Sequence, residues 1–132
     1  MKKLFYRGGI QINMKALFVN YPKCSTCQKA KKWLEENNIE FDSRHIVENN
    51  PTKDELKTWI ALSKEPIKKF FNTSGILYRE MNLKEKVAEG NEEELLDILS
   101  SNGMLVKRPL VITEDTVLIG FKEPKWTEYF KK

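Results

Sequence analysis

Ala16-Leu17-Phe18-Val19-Asn20-Tyr21-Pro22-Lys23-Cys24-Ser25-Thr26-Cys27-Gln28-Lys29-Ala30 is the stretch that decides the fold. Its apolar start predicts a strand over residues 16–20, which Tyr21-Pro22-Lys23 breaks. A helical pattern then opens, with Cys27, Ala30 and Leu34 on one stripe and Trp33 beside it. A strand that ends in C-x-x-C and turns directly into a helix is the layout of a redox dithiol. The helix N-terminus presents unpaired N–H groups and the positive end of the dipole, and both favour a thiolate. A cysteine so placed has its pKa lowered from about 8.5 toward roughly 3.5–7.5. Cys24, at the mouth, is expected to attack. Cys27, one turn in, is expected to resolve the mixed disulfide.

Other uses of the pair fit less well. A structural zinc site needs a second pair of cysteines or histidines, and His45 is the only histidine, so no metal site is expected. A disulfide closing so short a loop would constrain the unfolded chain little. Two unrelated core cysteines remain the competing reading.

Working outward, Asn37-Asn38 stop the helix and residues 40–47 predict a second strand, which gives a β-α-β unit with parallel strands and a right-handed crossover. Residues 51–103 have a helical texture. Thr52-Lys53-Asp54-Glu55 is a capping-box pattern ahead of Leu56, Trp59 and Ile60. Pro66 suits the first turn of a short helix carrying Ile67, Phe70 and Phe71, which Asn72-Thr73-Ser74-Gly75 ends. A further helix opens at Asn91, buries Leu95, Leu96, Ile98 and Leu99, and ends at Asn102-Gly103. Strands return at 110–112 and 117–119, joined by a hairpin over 113–116. Pro124 starts a last helix with Trp126, Tyr129 and Phe130 on its apolar side. The order is β-α-β, helical insert, β-β-α. The fold class is therefore α/β, a thioredoxin-like (glutaredoxin-like) core with an inserted helical subdomain.

Composition narrows the function classes. The 132 residues suit one domain. No apolar stretch approaches the roughly 20 residues that span a membrane. The formal charge is +4, but Lys2, Lys3 and Arg7 supply three of those charges. The remainder is close to neutral, with lysines and glutamates intermixed, so direct nucleic-acid binding is not supported. Residues 1–13 have neither the apolar core nor the cleavage site of a secretory signal. They are expected to be an extension outside the fold, with residues 14–132 as the domain. The alternative is an added edge strand from Gly9-Ile10-Gln11-Ile12. A cytoplasmic, reducing compartment is expected, where C-x-x-C is catalytic more often than structural.

Two further residues bear on the dithiol. Pro109 precedes the third core strand, and a cis bond there would bring backbone against the Cys24 sulfur as a platform for an extended thiol substrate. Arg108 would then stand beside the thiol. There are four arginines against 19 lysines, and this one reads as a clamp for a carboxylate, oxyanion or thiolate. Lys23 and Lys29 are additional candidates for lowering the pKa of Cys24.

With Tyr21 to Ala30, the Thr52 helix and Lys107-Arg108-Pro109-Leu110-Val111 in view, the chain resembles the ArsC/Spx family over residues 15–131. That family comprises glutaredoxin-dependent arsenate reductases, Spx-like transcription regulators that contact RNA polymerase, and their relatives. The resemblance implies a thioredoxin-like fold, Cys24 as nucleophile, Pro109 in cis, and Ser25, Thr26, Arg108 and Pro109 around the substrate. It further implies glutathione, glutaredoxin or thioredoxin as reductant, with no bound cofactor. Three activities follow from it. The first is thiol–disulfide exchange by the Cys24–Cys27 pair, the second a redox-sensing regulator that binds RNA polymerase, and the third arsenate reduction. Arsenate reductases carry three arginines around the nucleophile. Arg108 matches one, but no arginine stands near Phe71-Asn72-Thr73 or near Gly120. Each missing contact to a charged ligand forfeits roughly 1.5–3 kcal/mol. The regulators have a glycine in their contact surface where this chain has Pro66, which fixes φ and removes a donor.

Overall fold

The computed structural model describes residues 4–7, 10–13 and 15–131, with side chains described from residue 15 onward. Strands β1 (Leu4–Arg7) and β2 (Ile10–Asn13) pair with each other, antiparallel, as a separate two-stranded sheet. Gly9, part of the edge-strand alternative, and Met14, the expected first residue of the domain, lie outside the described residues.

The main sheet contains β3 (Ala16–Asn20), β4 (Phe41–His45), β5 (Leu110–Ile112) and β6 (Val117–Ile119) in the order β4-β3-β5-β6. β3 and β4 are parallel, and β5 runs antiparallel to both β3 and β6. The period of two along each strand divides the core between the faces. Ala16, Phe18 and Val111 meet α1 (Ser25–Glu36) and α6 (Glu123–Phe130), through Ala30, Trp33, Leu34, Trp126 and Phe130. Leu17, Val19, Leu110 and Val117 meet the inserted helices on the other face. This is the thioredoxin-like arrangement, with helices on both sides of a mixed sheet.

The insert comprises α2 (Lys53–Ser63), α3 (Ile76–Glu80), α4 (Leu83–Glu89) and α5 (Glu92–Ser101). At α2 the Thr52 side chain accepts from Glu55 N–H at 3.1 Å, and the Glu55 carboxylate accepts from Thr52 N–H at 3.0 Å. Arg44 on β4 donates to both Glu55 oxygens, at 2.6 and 2.8 Å, and its guanidinium lies 5.8 Å from the Trp59 ring. β4 and the insert are thereby tied at one point.

Several local expectations need correction. Pro66 caps a 3₁₀ turn over Ile67–Phe70 instead of entering a helix, and Phe71 lies beyond the end of that turn. Ile98 is only partly buried. Gly103 does not close α5 in the left-handed region. It is buried in a 3₁₀ turn, where a Cβ would come within 1.9 Å of the Ile46 carbonyl oxygen. The glycine is required by that close approach, which brings the end of the insert against the chain leaving β4. Helices α3 and α4 have only five and seven residues, too few to display a helical period in sequence.

Candidate active site

The nucleophile position is built by the exit from β3. Asn20, 5% exposed, donates to Ser43 Oγ at 2.9 Å and its carbonyl accepts from Ile46 N–H at 2.8 Å, which fixes the last residue of the strand. The chain then turns, with Cys24 N–H donating to the Tyr21 carbonyl at 2.9 Å. Gln28 N–H donates to the Cys24 carbonyl at 3.0 Å, and Gln28 Nε2 donates to the Pro22 carbonyl at 2.9 Å. Cys24 is thus the N-cap of α1, with extended φ −86° and ψ 124°, and Cys27 is one turn inside.

Both cysteines are free thiols, and they differ sharply. Partial burial works to raise the Cys24 pKa, but hydrogen bonds from the Cys27 N–H and thiol, the Thr26 N–H and Arg108 outweigh it, and the thiol falls below its ordinary value. Cys27 is 1% exposed. Burial, and then the neighbouring Cys24 side chain, push it up to about 12. Neither Lys23 nor Lys29 figures among the causes acting on Cys24; both side chains point to solvent. First-turn amides and Arg108 do that work instead.

Arg108 arrives from the far end of the chain. Lys107 N–H donates to the Phe70 carbonyl at 2.7 Å and Asn72 N–H to the Leu105 carbonyl at 2.8 Å, flanking an antiparallel bridge between Phe71 and Val106. This pairing sets the Asn72–Gly75 turn beside Arg108. The guanidinium lies over the Tyr21 ring at 5.1 Å, and the same ring meets the His45 imidazole at 5.7 Å, edge-on. Arg108 Nη1 is buried and has no hydrogen-bond partner among the described residues. The Arg108–Pro109 peptide bond is cis.

A groove of about 740 Å³ opens over Cys24. Cys24, Thr26 and Arg108 line it, whereas Ser25, exposed at the start of α1, and Pro109, buried at the start of β5, do not. Asn72 and Gly120, the two places where the resemblance puts further arginines, do line it. Lys107 Cε lies 3.4 Å from where a Gly120 Cβ would be, so a lysine stem occupies the space beside that glycine. Ser74, Gly75, Ile76, Leu77 and Glu80 bound the groove from the insert, with Met104, Phe121 and Lys122 completing it. In sequence, residues 72–75 read as a helix breaker and, through Asn72, as a place where an arginine is missing, and nothing marks Lys122 or α3 as part of a site. A residue that lines a groove without reacting leaves no mark in spacing or composition. No group of three or more metal-ligating side chains occurs among the described residues.

A mixed sheet of this order, with a dithiol at the N-terminus of its first long helix, belongs to the thioredoxin-like class. Within that class the chain belongs to the ArsC family, whose family model matches residues 19–129. It is 52% identical over 115 residues to the uncharacterized protein YusI of Bacillus subtilis, covering 87% of this chain and 98% of that one. It is 31% identical over 115 residues to the regulatory protein MgsR of the same organism, covering 87% and 90%. The crystal structure of an ArsC family related protein from Bacteroides fragilis matches with a TM-score of 0.83 and 59% identity, over 86% of this chain and 95% of the other.

Proposed function

We propose that the chain is a thiol–disulfide oxidoreductase working through Cys24 and Cys27. The observation that carries this reading is the asymmetry of the pair, with an accessible thiol held below its ordinary pKa and a buried one pushed up to about 12. The Cys24 thiolate attacks one sulfur of a substrate disulfide. That S–S bond breaks, its second sulfur departs as a thiolate and takes a proton from water, and a Cys24–substrate disulfide forms. Cys24 is now uncharged, so its share in raising the Cys27 pKa disappears and Cys27 becomes more acidic when it is needed. Cys27 loses its proton to solvent and attacks Cys24 Sγ, releasing the second substrate thiol. Two electrons have passed to the substrate and the Cys24–Cys27 disulfide remains. Glutathione, alone or with glutaredoxin, or thioredoxin would supply two electrons to reset it.

The test is NADPH consumption in a coupled assay with these reductants, offering a small disulfide and arsenate separately. Disulfide turnover that disappears in Cys24→Ser is expected, and Cys27→Ser is expected to accumulate a mixed disulfide visible by mass spectrometry. Turnover untouched by Cys24→Ser would sink the reading. The arsenate lane is expected to be silent, because Asn72 and Gly120 bring no guanidinium to the groove.

The likeness to MgsR, a protein named as regulatory, favours a second reading in which the pair senses redox state and controls binding to RNA polymerase. No turnover, together with a reversible Cys24–Cys27 disulfide and redox-dependent recovery of polymerase in a pull-down, would decide for it.

A further inference from the structure

The groove's chemistry is more specific than a dithiol requires. Lys107, Arg108 and Lys122 come to it from the segments flanking β5 and β6, against a single carboxylate, Glu80. None of the three cations forms an ion pair with a described residue. Residues 14–132 are otherwise close to electrical neutrality, so this cluster is a local excess of positive charge, with Arg108 turned to the Cys24 sulfur and the two lysines left for a ligand. From the insert side, Ile76 lines the groove while remaining 67% exposed, with Leu77 and Met104 beside it. At about 740 Å³ the cavity is many times the size of a tetrahedral oxyanion. It falls in the range of about 300–1,000 Å³ that accommodates larger ligands.

Resting on the oxidoreductase reading, we infer that the substrate is a disulfide carried by a polypeptide segment with an acidic residue on one side of the reacting cysteine and an apolar residue on the other. The chain lies extended over Cys24. Its carboxylate meets Lys107 and Lys122, and its apolar side chain covers Ile76. Arg108 stays with the reacting sulfur. The chemical step is the exchange already described, so no additional oxidant or reductant enters.

The test uses the full chain, a thiol reductant, and short peptides with one internal disulfide flanked by Asp and Leu, by Lys and Leu, or by Asp and Ser, with glutathione disulfide alongside. The Asp/Leu peptide is expected to exceed the Lys/Leu peptide by about tenfold in kcat/KM at low salt, with the gap closing as salt rises. The difference belongs mainly in KM, because the lysines hold ground state and transition state alike. K107E/K122E is expected to invert the charge preference, and the exposed K122E alone to reduce it should the double variant fold poorly. Ile76→Ser is expected to remove about a fivefold advantage of Leu over Ser. Lys31→Glu, the same charge change on the exposed side of α1, is expected to leave the preferences intact. Equal kcat/KM across the peptides, or glutathione disulfide reduced as well as the best peptide, overturns the inference while the oxidoreductase stands. No turnover of any disulfide by the folded protein overturns both.

Discussion

Arg108 concentrates the chemistry of the site in one side chain. Its side chain donates to Cys24, and its Nη1 is buried with no acceptor among the described residues, a state that costs about 1–3 kcal/mol. The Tyr21 ring at 5.1 Å supports the planar group, which a lysine could not replace in shape. Arg108→Gln is therefore expected to raise the Cys24 pKa. The rate of iodoacetamide alkylation at neutral pH should fall several-fold, and the pH profile should move to higher pH, with the Cys27 thiol remaining protected. An unchanged profile would mean that the first-turn amides act alone. At this scale the sequence was informative about reacting groups and poor about their surroundings. Cys24 and Arg108 are rare residue types in telling positions. Lys23 and Lys29 are near Cys24 in sequence, yet both side chains are exposed to water.

Among the elements, the start of α2 shows how a local signal and a remote partner combine. The Thr52–Glu55 box is written in four consecutive residues, but its second function is not. Arg44, distant in sequence, turns the capping carboxylate into one half of a bidentate ion pair, and Glu55 is held at about 2, chiefly by its hydrogen bonds from Arg44. The folded pKa is below the unfolded value of about 4.3. The associated stability is therefore fully present above that value and is lost as pH falls through the window toward 2. Glu55→Gln keeps a capping-box side chain and removes the charge. Because the Glu55 side chain is 34% exposed, solvent screens part of the pair, and the expected loss near neutral pH is about 1 kcal/mol. Denaturant titrations at several pH values should show the variant converging on the native chain in acid. Parallel curves would assign the pKa shift no role in stability.

The whole molecule is a sheet covered on both faces, and the two covers were unequally legible. The α1 and α6 face follows from clear periodicity and from Trp126, whose indole N–H donates to the Gly120 carbonyl at 3.1 Å. The opposite face is assembled from α2, short turns, α3, α4 and α5, and Phe70, Phe71, Leu105 and Val106 belong to it through tertiary pairing that no local pattern announces. That face also aligns the groove, since the Phe71–Val106 bridge holds the Asn72 turn and Arg108 side by side. The main sheet has its complete order, β4-β3-β5-β6, without β1 and β2, whose strand pairing is with each other. We propose on this basis that residues 1–13 stand outside the folding unit. A chain beginning at Met14 is then expected to melt within about 2 °C of the full chain, since a loss of even 1 kcal/mol would move the midpoint by several degrees in a domain of this size. Disulfide turnover should be retained, because Cys24, Cys27 and Arg108 are all positioned by the main sheet and its covers. A large drop in melting temperature would place the β1–β2 hairpin within the cooperative unit. A normal melt with lost turnover would point instead to a role for the hairpin at the groove.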